Sequence, residues 1–203
     1  MKGNKMRINN FKYFYPEKPT LISVENMLFS SMSSSSKWIA EKKYNENRLL
    51  LHYINKEFQF WSRHGELISY TPTSNLLESL NKLPLKGYCV FDGGLRHNKV
   101  VGIKNKIIIY DVLVWNNKLL LGKAFKERRL ILESFLECEG DSIGIPLQYG
   151  SEFKDVFNKV TKDDEIEGIV MKNLNGILNL GRNSASNSKW MLKIRKPCGR
   201  YRF

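Results

Sequence analysis

The run Lys106-Ile107-Ile108-Ile109-Tyr110-Asp111-Val112-Leu113-Val114 constrains this chain most. Branched and aromatic side chains suit a pleated, buried surface, so it predicts a strand inside a sheet. Shorter runs at residues 37–43, 48–53, 57–61, 87–91, 168–172 and 189–194 also read as strands. The first is expected to end at Lys43, with 48–53 as its hairpin partner. Helices are expected over 74–82, 122–138 and 153–160. The second is the clearest, with apolar residues at Phe125, Leu130, Ile131, Leu132, Phe135 and Leu136. The serine-rich stretch from Ser30 to Ser36 predicts a flexible loop, and residues 1–10 a frayed basic end. No internal repeat or linker stands out. The mixture predicts an α+β fold, antiparallel sheets with helices packed outside.

A length of 203 residues suits one domain, taken as 1–203, and 42% apolar residues can fill a core. No apolar run is long enough for a membrane span, and the start does not resemble a signal peptide. The expected protein is soluble and intracellular, with cytoplasm and nucleus not distinguished and no membrane partner. Cys89, Cys138 and Cys198 are widely spaced and odd in number, which predicts structural or surface thiols. His52, His64 and His97 have no metal-ligand spacing. A net charge of +13 favours a polyanionic partner, usually nucleic acid.

Short motifs carry the chemistry. Glu41-Lys42-Lys43-Tyr44-Asn45-Glu46-Asn47-Arg48 comes first, followed by Ser62-Arg63-His64-Gly65 and Phe91-Asp92-Gly93-Gly94-Leu95. Tyr110-Asp111-Val112-Leu113, Glu167-Gly168-Ile169-Val170-Met171-Lys172 and Trp190-Met191-Leu192-Lys193-Ile194-Arg195 complete the series. Each is weak alone. In this order, from about residue 38 to 196, they resemble the covalent nucleotidyltransferases, most closely the ATP-dependent DNA ligases. The resemblance implies a ligase-type nucleotidyltransferase domain (ATP-grasp-like): two antiparallel sheets, flanking helices and ATP in the groove between them.

The family pattern Lys-x-Asp-Gly-x-Arg fixes the register. Lys43 with Arg48 fits it, whereas Lys42 would put Asn47 in the arginine place. The resemblance makes Lys43 the catalytic nucleophile that takes AMP from ATP. A lysine needs burial or nearby cations to lose its proton. Glu41 matches a residue that helps hold the adenine, against an exposed strand carboxylate as the plain reading. Arg48 and Arg63 match arginines on the ribose, the phosphates or the nucleic-acid end, where a guanidinium fork suits phosphate. Tyr110 matches an aromatic stacked on the purine, against simple strand packing. Glu167 matches a carboxylate that places Mg2+ or Mn2+. Lys172 and Lys193 match lysines near the α-phosphate that stabilise charge and ease deprotonation of Lys43; Lys193 is thus also catalytic. Arg195 stands in place of a second lysine.

The chain also departs from the family. Asn45 replaces Asp, Glu46 replaces Gly, and Gly94 replaces an acidic residue, which predicts a weakened site. Only Lys196 to Phe203 follow the last motif, where relatives carry an oligonucleotide-binding (OB-fold) barrel. The expectation is a domain without that barrel: a minimal enzyme, a fragment, or half of a complex with a protein partner supplying the OB-fold in trans. The implied function is ATP-dependent sealing of nicks. Ser62-Arg63-x-Gly65, Phe91-Asp92-Gly93 and Trp190-x-x-Lys193 favour nicked duplex DNA over RNA. The alternatives are an RNA ligase or capping-type guanylyltransferase, and a non-catalytic nucleic-acid-binding relative.

Overall fold

The computed structural model describes residues 13–26, 31–99, 102 and 105–197. Its elements run β1 (Tyr15–Pro16), β2 (Lys18–Leu21), β3 (Trp38–Tyr44), β4 (Asn47–Ile54), β5 (Glu57–Ser62), α1 (Ser74–Asn81), β6 (Cys89–Arg96), β7 (Lys106–Trp115) and β8 (Lys118–Leu119). Then come α2 (Phe125–Glu133), β9 (Ile143–Gly144), β10 (Gln148–Tyr149), α3 (Phe153–Val160), β11 (Ile166–Asn173), β12 (Leu180–Gly181) and β13 (Asn187–Arg195). The expected basic end at 1–10 and Cys198 lie outside the described residues. No helix among the described residues is long and apolar enough to cross a membrane.

Two sheets form the frame. A five-stranded sheet has the order β10-β3-β11-β13-β2, and a six-stranded sheet runs β5-β4-β6-β7-β8 with β9 beside β7. The α+β architecture is as expected, but the sheets are not wholly antiparallel. β2 pairs parallel with β13, and β9 parallel with β7. These partners are remote in sequence, so long connections supply the crossover that a parallel pair needs.

The expected hairpin between residues 37–43 and 48–53 does not form. β3 pairs with β10 and β11, while β4 pairs with β5 and β6. Asn45 and Glu46 therefore carry the chain from one sheet to the other, and the Asn45 amide donates to the Glu165 carbonyl at 3.0 Å. Lys43 ends up on one sheet and Arg48 on the other. The strand expected at 87–91 starts later and runs through Asp92, Gly93 and Gly94 to Arg96. Neighbours on both sides, β4 and β7, supply ladder bonds that hold these glycines extended. Ser31 to Ser33, expected as loop, are helical. The Ser33 hydroxyl oxygen accepts the Phe153 amide at 2.9 Å and caps α3.

Period-two alternation divides each strand between core and cleft. Ala40, Tyr44, Ile169, Met171, Leu192 and Ile194 bury one face of the five-stranded sheet against Phe153, Phe157 and Val160 of α3. Leu49, Leu51, Phe91, Ile107 and Ile109 bury one face of the six-stranded sheet with Leu76 and Leu80 of α1 and Leu132 of α2. Helix α2 is shorter than expected, and its inner face differs. Leu130 is 65% exposed, while Arg128 and Arg129 are buried. The Asp111 and Glu41 carboxylates draw the two arginines inward.

Candidate active site

The faces of the strands that avoid the cores meet across a cleft of about 780 Å³. Glu41, Lys43, Arg48, Arg63, Tyr110, Glu167, Lys172, Lys193 and Arg195 all line it. Sequence order thus becomes spatial convergence, and alternation explains most of it. On β3, Glu41 and Lys43 face the cleft while Ala40 and Tyr44 face the core. On β13, Lys193 and Arg195 do so opposite Leu192 and Ile194.

Glu167 needs a further device. Simple alternation would aim it with Ile169 and Met171 into the core. The pairing of β11 with β3 shifts register between Ile166 and Gly168, and this bulge brings Glu167 to the cleft with Lys172. Only glycine fits next to it, since a Cβ on Gly168 would lie 1.9 Å from the Ile194 carbonyl oxygen. Glu167 Oε2 accepts from Lys43 Nζ at 2.5 Å and lies 3.3 Å from Arg195 Nε.

Burial pushes the Lys43 ammonium below the ordinary lysine range. Glu167 opposes that shift and Arg195 adds to it. Lys193 is pushed down to about 8 by burial first, then by Arg195, Lys43, Lys18 and Arg48. The cluster thus gathers cations in a half-buried place, the condition under which a lysine gives up its proton.

Lys172 has another tie. Its Nζ lies 2.6 Å from Glu41 Oε2 and donates to the Tyr110 carbonyl at 3.0 Å. Glu41 is only 2% exposed, so the exposed-carboxylate reading does not hold. It also accepts from Gln148 Nε2 at 3.0 Å and lies 3.6 Å from Arg129 Nη1. Tyr110 is half-buried beside the cleft, its ring 5.7 Å from Lys172 Nζ and its buried hydroxyl without a hydrogen-bond partner.

On the facing sheet, Arg48 donates to Asp92 through Nε at 2.8 Å and Nη2 at 2.6 Å, and to the Glu17 carbonyl at 3.0 Å. Arg63 is exposed at the end of β5, its Nε 3.0 Å from His64 Nε2. Sequence reasoning gave no role to Tyr13, Tyr15 and Lys18, which also line the cleft. The tyrosine-rich stretch Tyr13-Phe14-Tyr15 was the available signal. Among the described residues, no group of three or more metal-ligating side chains is preassembled. The carboxylates that line the cleft are Glu41, Glu46, Asp92, Asp111 and Glu167.

Residues 95–195 match the ATP-dependent DNA ligase domain model. No curated protein matches the chain by sequence. Among solved structures, a mycobacterial DNA ligase D complexed with ATP and MES is similar at a TM-score of 0.62 and 20% identity, over 91% of this chain and 62% of that one. The ligase domain of M. tuberculosis LigD gives a TM-score of 0.63 at 17% identity, over 91% of this chain and 61% of that one. The ATP-dependent DNA ligase of bacteriophage T7, in complex with ATP, gives 0.61 at 14% identity, over 89% and 68%. The chain therefore spans about three fifths of the length of the first two. At these identities the structures establish the fold, a ligase-type nucleotidyltransferase domain. The domain match over residues 95–195 agrees with that fold and makes this part of the chain similar to the ATP-dependent DNA ligases.

Proposed function

We propose that this chain is the adenylylating domain of an ATP-dependent polynucleotide ligase that seals nicks in duplex DNA. One observation carries the reading. Lys43, held below the ordinary lysine range, lies in a cleft with Lys193 and Arg195, where a nucleotide's phosphates would find cations. The cleft volume is also within the usual range for a small-molecule site.

The neutral Lys43 amine attacks the α-phosphorus of ATP. A nitrogen–phosphorus bond forms, the bond to the bridging oxygen breaks, and pyrophosphate leaves. Lys193 and Arg195 stabilise the charge that builds on the phosphate oxygens. Tyr110 offers the purine a ring face. Arg48, braced by Asp92, directs its remaining capacity at the sugar or phosphates. AMP then passes to the 5′-phosphate of the nick, and the neighbouring 3′-hydroxyl displaces it. A bound Mg2+ or Mn2+, held by Glu167 and the phosphates, would offset phosphate charge.

The net charge of +13 supports a nucleic-acid partner. The chain is read as carrying one nucleotidyltransferase domain. Incubation with α-labelled ATP and magnesium tests the reading. A covalent AMP adduct is expected. A preference for GTP would move the chain to the guanylyltransferase alternative. No adduct with either nucleotide would leave the non-catalytic alternative.

A further inference from the structure

Ahead of every motif, Pro16-Glu17-Lys18-Pro19 passes between the two sheets. Before it, Tyr13 is fixed to the six-stranded sheet. Its hydroxyl donates to the Ser62 carbonyl, and its ring lies 6.1 Å from that of Trp61 on β5. After it, the chain belongs to the five-stranded sheet. Thr20 Oγ1 donates to the Ser188 carbonyl at 2.7 Å, and the Ile22 amide to the Lys193 carbonyl at 3.0 Å. The crossing itself is one peptide group. Its oxygen, on Glu17, accepts from Arg48 Nη2 of β4 at 3.0 Å. Its N–H, on Lys18, donates at 2.9 Å to the carbonyl of Ser186, the residue just before β13. The Glu17–Lys18 peptide therefore clasps the two walls of the cleft. Pro19 stiffens the clasp, because a residue before proline is confined to extended backbone.

The clasp sets a cation in the cleft. Lys18 lines it together with Lys193, which feels the charges of Lys18 and Arg48. Other cleft cations are already matched. Lys43 and Arg195 share Glu167, Arg48 holds Asp92, and Lys172 holds Glu41. Among the described residues, the ammonium groups of Lys18 and Lys193 have no ion pair or hydrogen bond. Lys18 is half-buried, so it has lost part of its hydration without gaining a carboxylate partner. A cation in that state favours an anion. Holding the fold together does not explain it. The clasp uses backbone atoms that any residue at position 18 would supply, and the repulsion from Lys193 and Arg48 works against folding.

We propose that Lys18 is a further substrate-binding residue of this cleft, one that takes a phosphate group beside Lys193 and is held there by the clasp. The phosphate belongs to the nucleotide or to the broken strand of a nick, and both bring the same chemistry to the ammonium. The choice between them rests on the ligase reading, while phosphate binding itself does not.

Lys18→Met tests this, since it removes the charge, keeps a long side chain and leaves the clasping peptide in place. Binding of ATP with magnesium is measured by calorimetry. Binding of nicked duplex is measured by fluorescence anisotropy, with a 5′-phosphate or a 5′-hydroxyl at the nick. A contact to the nucleotide should raise the Kd for ATP about tenfold, the worth of one charge-assisted contact, and leave both duplexes unchanged. A contact to the nick should instead abolish the preference for the 5′-phosphate and leave ATP unchanged. Lys18→Arg keeps the charge and should bind as wild type does in whichever arm responds. A Lys18→Met protein that binds ATP and the 5′-phosphate nick as tightly as wild type overturns the proposal. So does a fall in melting temperature that accompanies the lost binding and that Lys18→Arg does not reverse, because the residue would then be structural. A wild type that binds neither ligand overturns both this proposal and the ligase reading. If wild type forms no AMP adduct but Lys18→Met weakens ATP, the ligase reading fails and the assignment of Lys18 stands.

Discussion

Two cation–carboxylate pairs show how the two sheets differ. Against the six-stranded sheet, Arg128 of α2 is fully buried and grips Asp111 of β7 with two prongs, at 2.8 and 2.7 Å. Its remaining N–H groups reach the carbonyls of Lys123 and Gly176. On the five-stranded sheet, Lys43 holds Glu167 by one contact and must share it with Arg195. Both side chains of that pair are partly open, at 18% and 17%. A saturated pair is fixed and expensive to break. A shared, half-open pair has donors to spare and can exchange partners when a phosphate arrives. The difference teaches that the first sheet anchors the cleft and the second one works in it.

Breaking each pair should therefore damage different things. The largest effect is expected for Lys43→Ala, which should bring AMP-adduct formation below detection. Stability should change by about 1 kcal/mol or less, because the pair is partly solvated and Glu167 keeps Arg195. A denaturation midpoint far below wild type would give Lys43 the structural role that belongs to Arg128. Arg128→Ala leaves Asp111 buried without its partner and should cost ~3–5 kcal/mol, read from urea unfolding at constant slope. A loss under about 1 kcal/mol would erase the contrast between the pairs.

The third test sharpens the comparison through pH. The Glu46 carboxyl is raised from 4.5 to about 8 in the folded protein. Between those values the native state keeps a proton that the unfolded chain has lost. Stability from this group is thus complete below about 4.5 and is lost as pH rises through about 8. Surrounding cations share in the balance, so a fall on the order of 1–2 kcal/mol is expected across that window. Glu46→Gln should flatten the curve, and a curve equally steep in both proteins would contradict it. The smallest effect concerns the rim of the cleft. Arg63→Gln should weaken binding to nicked duplex and reduce the slope of log affinity against log salt by about one. An unchanged slope would take Arg63 off the phosphate path.

Much of this was legible in the residues. β7 and both ends of α3 are carried by local pattern, and local pattern survives folding. The crossing at Asn45 and Glu46 was not legible, because a two-residue gap between strands normally reads as a hairpin. Which sheet each strand joins is decided by distant partners. The inner face of α2 was misread for a related reason. Leu130 looked like core, but buried carboxylates on β7 and β3 select Arg128 and Arg129 instead. The bulge that turns Glu167 into the cleft is a pairing feature, signalled only by Gly168. Likewise, Glu46 and Gly94 read as two separate defects, but a Cβ on Gly94 would lie 2.0 Å from Glu46 Cδ, so they share one volume.

The most direct test of the account locates the adduct. The wild-type chain is incubated with ATP and magnesium, the intact mass is measured, and the digested protein is mapped by tandem mass spectrometry. The account predicts a single added AMP, on Lys43. AMP on Lys42, Lys172 or Lys193, or no added mass, would contradict it.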